Sequence, residues 1–479
     1  MPSIPPLLLR GGTVITMDGP DGVLPVGDVL VRDGRIEAVG PRLDAPEDAR
    51  LLDTTGKIVL PGLIDAHRHT WQTALRGVGA EWTLTDYFVY MVGQFGPLFR
   101  PEDVYAANLV AATESLNDGA TTLADWADGS RTPEHAEAAV QALHDAGVRA
   151  RFVYADVFAS AHVFVPTRHV LALHEQYGSG SGRVTMQVAI DPTLQDGFPE
   201  EKAWRFAREH GIPVYSHAGL YGWGNETYLK DLYKRGLMDE TNTYVHIVSV
   251  GDEERKLIAD SGGTVVMASN SNFYQRQGYP RVTELAALGI PVALGSDSDV
   301  RYRPDMFTCM RATAGADRAW EHLRYAKPDL SGVLNPTNAY RSRDALRAAT
   351  VHGARAVGQS GSLDSIAPGK CADLLMLRPD DAGTVPYRFD PVAHVVWQGT
   401  PDRVETILVD GEIVKQDGRL TTGPSLERVH ELAEATREYL LRQIGEDAFA
   451  KAMREPAVQP GAPLQHAFPR FPKPDDPQE

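Results

Sequence analysis

Between residues 58 and 297, eight short apolar runs alternate with longer stretches of helical pattern. The runs are IVLPGLIDA (58–66), TTLAD (121–125), RARFVYADV (149–157), VTMQVAI (184–190), PVYSH (213–217), TYVHIV (243–248), TVVMAS (264–269) and PVALGSD (291–297). The segments between them, including 102–118, 134–146, 199–209, 226–235, 253–261 and 282–288, many with apolar residues spaced three or four apart, read as helices with one buried face. A strand that is apolar throughout is buried on both faces, and strands alternating with helices make a parallel sheet covered by those helices. Eight such units match the roughly 250 residues of a closed (β/α)8 TIM barrel. An open, doubly wound sheet would place a glycine-rich turn directly after its first strand, whereas here Ile64 is followed by Asp-Ala-His-Arg-His. An α/β chain with a barrel over residues 61–361 is therefore expected.

The flanks have a different texture. Short strands are expected at 7–17, 27–32, 35–39 and 51–53, with a turn at Asp33-Gly34, and again at 373–377, 394–397 and 404–414, the last broken by Asp410-Gly411. Chain termini commonly lie close together, so residues 1–60 and 362–423 are expected to build one small β-sandwich domain. Residues 424–479 are expected to hold a helix, from Ser425 to Ile444, and a Pro-rich tail whose end, FPRFPKPDDPQE, cannot support regular structure.

The barrel reading gives meaning to the histidines. His67 and His69 lie at the C-terminal end of the first run, where residues two apart in an extended strand point the same way. His217 ends the fifth run, His246 lies late in the sixth and Asp297 closes the eighth, with Asp299 as a competing acid. Barrel active sites form at these strand ends. Imidazoles with a carboxylate suit one catalytic divalent metal, Zn2+ or alternatively Fe2+. Only two cysteines are present, Cys309 and Cys371, which excludes a thiolate-based zinc site and fits a cytoplasmic chain.

The string Pro61-Gly62-Leu63-Ile64-Asp65-Ala66-His67-Arg68-His69, the strand-end His217, His246 and Asp297, and the paired β flanks resemble the amidohydrolase superfamily. Within it the chain is most similar to the branch of cytosine deaminases and chlorohydrolases, which also holds guanine and S-adenosylhomocysteine deaminases. Ser269-Asn270-Ser271-Asn272, Gly295-Ser296-Asp297-Ser298, Pro368-Gly369-Lys370-Cys371-Ala372-Asp373 and Val409-Asp410-Gly411-Glu412-Ile413-Val414 carry the likeness further. The resemblance implies a metal held by His67, His69, His217 and Asp297, with His246 and Asp297 as catalytic groups. It also implies hydrolysis of a C–N bond, by deamination or amide or amidine hydrolysis, of a small cyclic or aromatic molecule. Two positions depart from the pattern: Leu220 stands where family deaminases carry a proton-donating Glu, and Ser249 where a second His often follows. A leucine cannot move a proton.

The segment after the first run resembles the family's substrate-side loop, with Gln72, Arg76 and Trp82 as candidate substrate contacts. Tyr221 and Trp223 add aromatic surface, and Glu226 is a substitute acid of lesser weight. A metal-dependent lyase or isomerase and a noncatalytic small-molecule binding protein are the alternatives on the same scaffold. The formal net charge of -17 disfavours a nucleic-acid partner, and no apolar stretch is long enough to span a membrane. A homo-oligomer is expected from the family likeness.

Overall fold

The computed structural model describes residues 5–19, 22–155, 167–180, 182–192, 197–220, 227–325, 337–378 and 389–457. One sheet contains only parallel pairings and follows the chain around a ring. Its strands are β1 (Leu63–His69), β2 (Ala120–Ala127), β3 (Arg149–Tyr154), β4 (Val184–Ala189), β5 (Val214–Ala218), β6 (Thr243–His246), β7 (Thr264–Met267) and β8 (Val292–Leu294). Each is followed by a helix, beginning with Pro101–Asp118 after β1 and ending with Met306–Tyr325 after β8. The ring closes through a second piece of the eighth strand, β9 (Asp297–Ser298), which pairs in parallel with Arg68 and His69 of β1.

The break between the two pieces has a steric cause. A Cβ on Gly295 would lie 2.7 Å from His67 Cβ and 2.9 Å from the His67 carbonyl, so only glycine passes this close to β1. Asp65 secures the crossing by accepting the Ser296 N–H at 3.0 Å and the Ser296 hydroxyl at 2.5 Å. The barrel is filled, not hollow: Ile64, Ala66, Trp126, Val153, Tyr215, Val245, Val266 and Ala293 meet in its interior. Ala354, Ala356 and Val357 join that interior cluster from outside the strands.

The two flanks share the other sheet. Strand Ile58–Pro61 pairs antiparallel with Leu374–Leu377 and parallel with Thr13 and Val14, joining the N-terminal strands to those at 404–409, 412–416 and 419–420. The sheet is continuous, and residues from both flanks, including Leu9, Val31, Ile36, Val59, Leu374 and Leu408, pack into one core. The first apolar run is thus split between two sheets at Gly62, where a Cβ would sit 2.0 Å from Thr121 Oγ1. Both expected Asp-Gly turns form with paired positive φ values, 50° and 77° at Asp33-Gly34 and 49° and 73° at Asp410-Gly411, the geometry that hairpin turns require.

One sequence expectation is corrected. Residues 394–397 are helical, within Pro391–Gln398, because Asp390 caps the N-terminus by accepting from Val392 and Ala393 N–H and Pro391 starts the first turn. A short apolar run cannot distinguish a strand from a buried helix. The C-terminal helix spans Leu426–Ile444, capped by Ser425. The tail 468–479 lies outside the described residues. No helix among the described residues is long and apolar enough to cross a membrane.

Candidate metal centre

The strand ends bring His67, His69, His217, His246 and Asp297 together, all buried. His67 Nε2 lies 3.3 Å from His217 Nε2 and 3.3 Å from Asp297 Oδ1, and His69 Nε2 lies 3.2 Å from the same Asp297 oxygen. Tetrahedral ligation at the usual zinc distances spaces ligand atoms about 3.3–3.4 Å apart. Three donor pairs therefore stand at the spacing one such ion needs, and the ligand atoms of His67, His69 and His217 form one mutually close group. His246 shares a second group of mutually close ligand atoms with His67 and Asp297.

Local backbone geometry puts them there. Ile64 and Ala66 point into the barrel, yet His67 and His69 converge at its mouth, because the pairing of β1 with β2 shifts register between Asp65 and Arg68. The shift sends Arg68 the other way, where it donates to Asp299 at 2.8 and 3.1 Å, to Ser115 at 2.8 Å and to Glu114 at 3.2 Å. His246 and Asp297 adopt φ values of 81° and 66°, a region that non-glycine residues avoid and that often marks a functional constraint.

An outer layer of carboxylates orients two of these histidines, and sequence reasoning missed it. Asp128 Oδ1 lies 3.0 Å from His69 Nδ1 and also accepts from Trp71 Nε1. Asp191 lies 3.0 Å from His217 Nδ1 and accepts the His217 backbone N–H at 2.8 Å. A carboxylate on the far nitrogen of a ligating histidine fixes its ring and raises its basicity. The signal available beforehand was position, since each acid lies just past the end of β2 or β4. Trp126 packs its ring 4.0 Å from that of His217.

The electrostatics agree with a cation site. Burial drives the His67 imidazole down to about 4, leaving it neutral and able to donate a lone pair. Burial also works against a charged His69, but Asp128 and Asp297 outweigh it and hold its pKa up at about 10. Burial would raise Asp297, yet hydrogen bonds from His67 and His69 keep it well below the usual carboxylate range. The proton lodged on His69 between two carboxylates is one that a binding cation would displace.

Other expected contacts are placed differently. Gln72 does stand at the centre's edge, accepting from Ser298 Oγ at 2.9 Å and donating to Tyr87 Oη at 2.5 Å. Arg76 instead clamps Glu114 at 2.6 and 2.7 Å and reaches Asp299 at 3.4 Å, so its fork is spent inside the protein. Trp82 is core: it stacks 5.5 Å from Tyr90 and donates Nε1–H to the Ala452 carbonyl at 2.7 Å. The contacts of both side chains are thus made within the chain. Asp299 is held by Arg68 and Thr73, outside the ligand cluster. Leu220 is buried, and Ser249 donates to the Gly219 carbonyl at 2.7 Å. Tyr221, Trp223 and Glu226 lie outside the described residues.

The sequence profile of the amidohydrolase family matches residues 58–414. This chain belongs to the amidohydrolase family. With the family comes a divalent metal and hydrolysis of C–N bonds, for which the clustered donors fit. Among relatives, the 5-methylthioadenosine/S-adenosylhomocysteine deaminase of Acetivibrio thermocellus is 27% identical over 435 residues, covering 87% of this chain and 95% of that protein. The enzyme of the same description from Symbiobacterium thermophilum is 29% identical over 427 residues, covering 86% and 94%. Among solved structures, a triazine hydrolase variant superposes with a TM-score of 0.79 at 22% identity, covering 91% of this chain and 100% of that one. An adenosine deaminase from Xanthomonas campestris with bound zinc gives 0.75 at 23%, covering 91% and 98%. These structural likenesses establish the family fold.

Proposed function

We propose that this amidohydrolase uses one zinc ion, held by His67, His69, His217 and Asp297, to hydrolyse a C–N bond of a small aromatic or heteroaromatic molecule. The observations that carry the reading are the 3.2–3.3 Å separations of three donor pairs, His67–His217, His67–Asp297 and His69–Asp297, and the mutual closeness of the His67, His69 and His217 ligand atoms. When bound, such an ion supplies hydroxide at neutral pH and polarises the bond under attack.

The chain's own residues do the rest. Asp297, fully ionised, accepts the proton of the attacking water and passes it to the departing nitrogen. His246 Nδ1 faces Asn272 Nδ2 at 3.0 Å; with Asn272 donating, the imidazole proton rests on Nε2, the atom able to donate to oxygen on the tetrahedral carbon. Burial keeps His246 neutral by pulling its pKa well below the ordinary value. Leu220 offers no proton, so Asp297 must serve both halves of the reaction. That favours substrates whose leaving nitrogen is within its reach, such as amides, amidines and exocyclic amines.

The test is a screen of aminated heterocycles and aryl amides against zinc-replete protein, read by ammonia release and mass spectrometry in 18O-labelled water. We expect one label per turnover and loss of turnover in Asp297→Asn. Protein purified without chelator that carries no stoichiometric transition metal would falsify the reading, and unlabelled product would assign the chain to lyase or isomerase chemistry.

A further inference from the structure

One buried cation beside the metal centre has unmade bonds. Arg301 lies four residues beyond Asp297 and is 6% exposed. Its Nη2 makes two long hydrogen bonds, 3.3 Å to the Trp82 carbonyl and 3.4 Å to the Thr83 carbonyl. Among the described residues, neither Nε nor Nη1 meets an acceptor.

Three other buried arginines, Arg68, Arg149 and Arg151, are well partnered. Arg68 is paired with Asp299 and Glu114, and Arg149 with Asp373 at 2.8 Å. Arg151 has no carboxylate, yet it gives Nε and Nη2 to the Val357 carbonyl and Nη1 to that of Met186. A buried guanidinium left partly unbonded is costly to maintain and is retained where it has something to bind.

Its position says what that is. The guanidinium carbon lies 5.6 Å from the centre of the Tyr87 ring, and that ring lies 6.5 Å from the ring of His69. A single aromatic side chain therefore separates Arg301 from a metal-ligating histidine. Burial pulls the Arg301 pKa below its ordinary value, while the charges of Asp297, Tyr87, Tyr302 and Asp86 oppose this. Asp86 is already engaged by Thr83 and by the Ala457 N–H. Asp297 belongs to the ligand set, so a cation bound there would claim its charge and leave the guanidinium without a counter-ion.

We propose that Arg301 binds a carboxylate carried by the substrate, so that the site selects aromatic acids bearing the scissile C–N bond over their neutral analogues. The C–N bond in this statement rests on the hydrolase reading above; the anion does not.

Benzoate and benzamide are matched probes for the full-length, zinc-loaded protein, with calorimetry as the readout. Benzoate is expected to bind about tenfold more tightly than benzamide or better, the range for a charged hydrogen bond. Arg301→Gln should erase that preference and leave benzamide unchanged. Arg301→Lys should weaken benzoate about fivefold, because an ammonium lacks the planar fork. Binding of neither probe, equal affinities, or a preference that both variants retain (the mark of direct coordination to zinc) overturns the proposal. Should Arg301→Gln fail to fold by circular dichroism, wild-type benzoate affinity in Arg301→Lys overturns it by itself. Arg301-dependent benzoate binding in a protein that turns over no member of the screen would instead remove the hydrolase reading and leave the anion site standing.

Discussion

Asp128 touches neither the ligand cluster's centre nor any proposed substrate position, yet two variants at this residue should separate its two roles. Its Oδ1 holds His69 Nδ1 at 3.0 Å and also accepts from the Trp71 indole N–H, a group that is 1% exposed. Outer carboxylates of this kind are worth about tenfold to a hundredfold in metal affinity. Asp128→Asn keeps an amide oxygen for the indole and for the imidazole while removing the charge, so the loss should lie near the lower limit, about 1.4 kcal/mol. Asp128→Ala also releases the ring orientation, moving the loss toward about 2.7 kcal/mol. It further strands the buried Trp71 N–H, which should cost about 1–3 kcal/mol of folding stability that the Asn variant retains. Zinc affinity is measured by competition with a chromophoric chelator, and stability by urea unfolding of the metal-free protein. Wild-type zinc affinity in both variants, or tighter binding by Ala than by Asn, would refute the assignment of His69 as a ligand oriented by Asp128.

Three further outcomes are expected. Gly295→Ala should force its Cβ against His67, lowering zinc affinity measured by the same competition even where the protein folds, since the nearest atoms are Cβ and backbone of a proposed ligand, His67. Arg76→Gln should cost about 1–3 kcal/mol in urea unfolding by breaking its clamp on Glu114 and Asp299 while leaving KM for any identified substrate unchanged; a raised KM at wild-type stability would restore Arg76 as a substrate contact. Lys415 is the third: burial depresses its ammonium to about 8 from an unfolded value of 10.5, so the unfolded state binds the extra proton between those pH values and stability rises with pH across that window. Lys415→Met should therefore raise the melting temperature at pH 7, and the gain should shrink as pH climbs from 8 toward 10.5; a gain independent of pH would mean packing alone.

The sequence by itself determined the barrel, the pairing of the flanks and the presence of His67, His69, His217, His246 and Asp297 at strand ends. Each of these follows from one-dimensional pattern: apolar runs at helix-length intervals, Asp-Gly turns, and histidines placed where strands end. It could not determine which way those side chains face. Strict alternation along β1 from the inward Ile64 and Ala66 would have turned Arg68 inward and His67 and His69 away, and only the register shift against β2 reverses them. Nor could it separate Asp297 from Asp299, which lie two residues apart and are divided by partners far along the chain, His67 and His69 for one and Arg68 with Thr73 for the other. Arg76 and Trp82 matched a substrate loop in sequence, but helix Pro101–Asp118 supplies the carboxylate for one and residue 452 the carbonyl for the other. The outer carboxylates Asp128 and Asp191 showed in sequence only as acids just past strand ends, without their histidine partners, and the open bonds of Arg301 did not show at all. Charge and hydrogen-bond satisfaction are properties of neighbours in space, and the tertiary structure alone decides who those neighbours are.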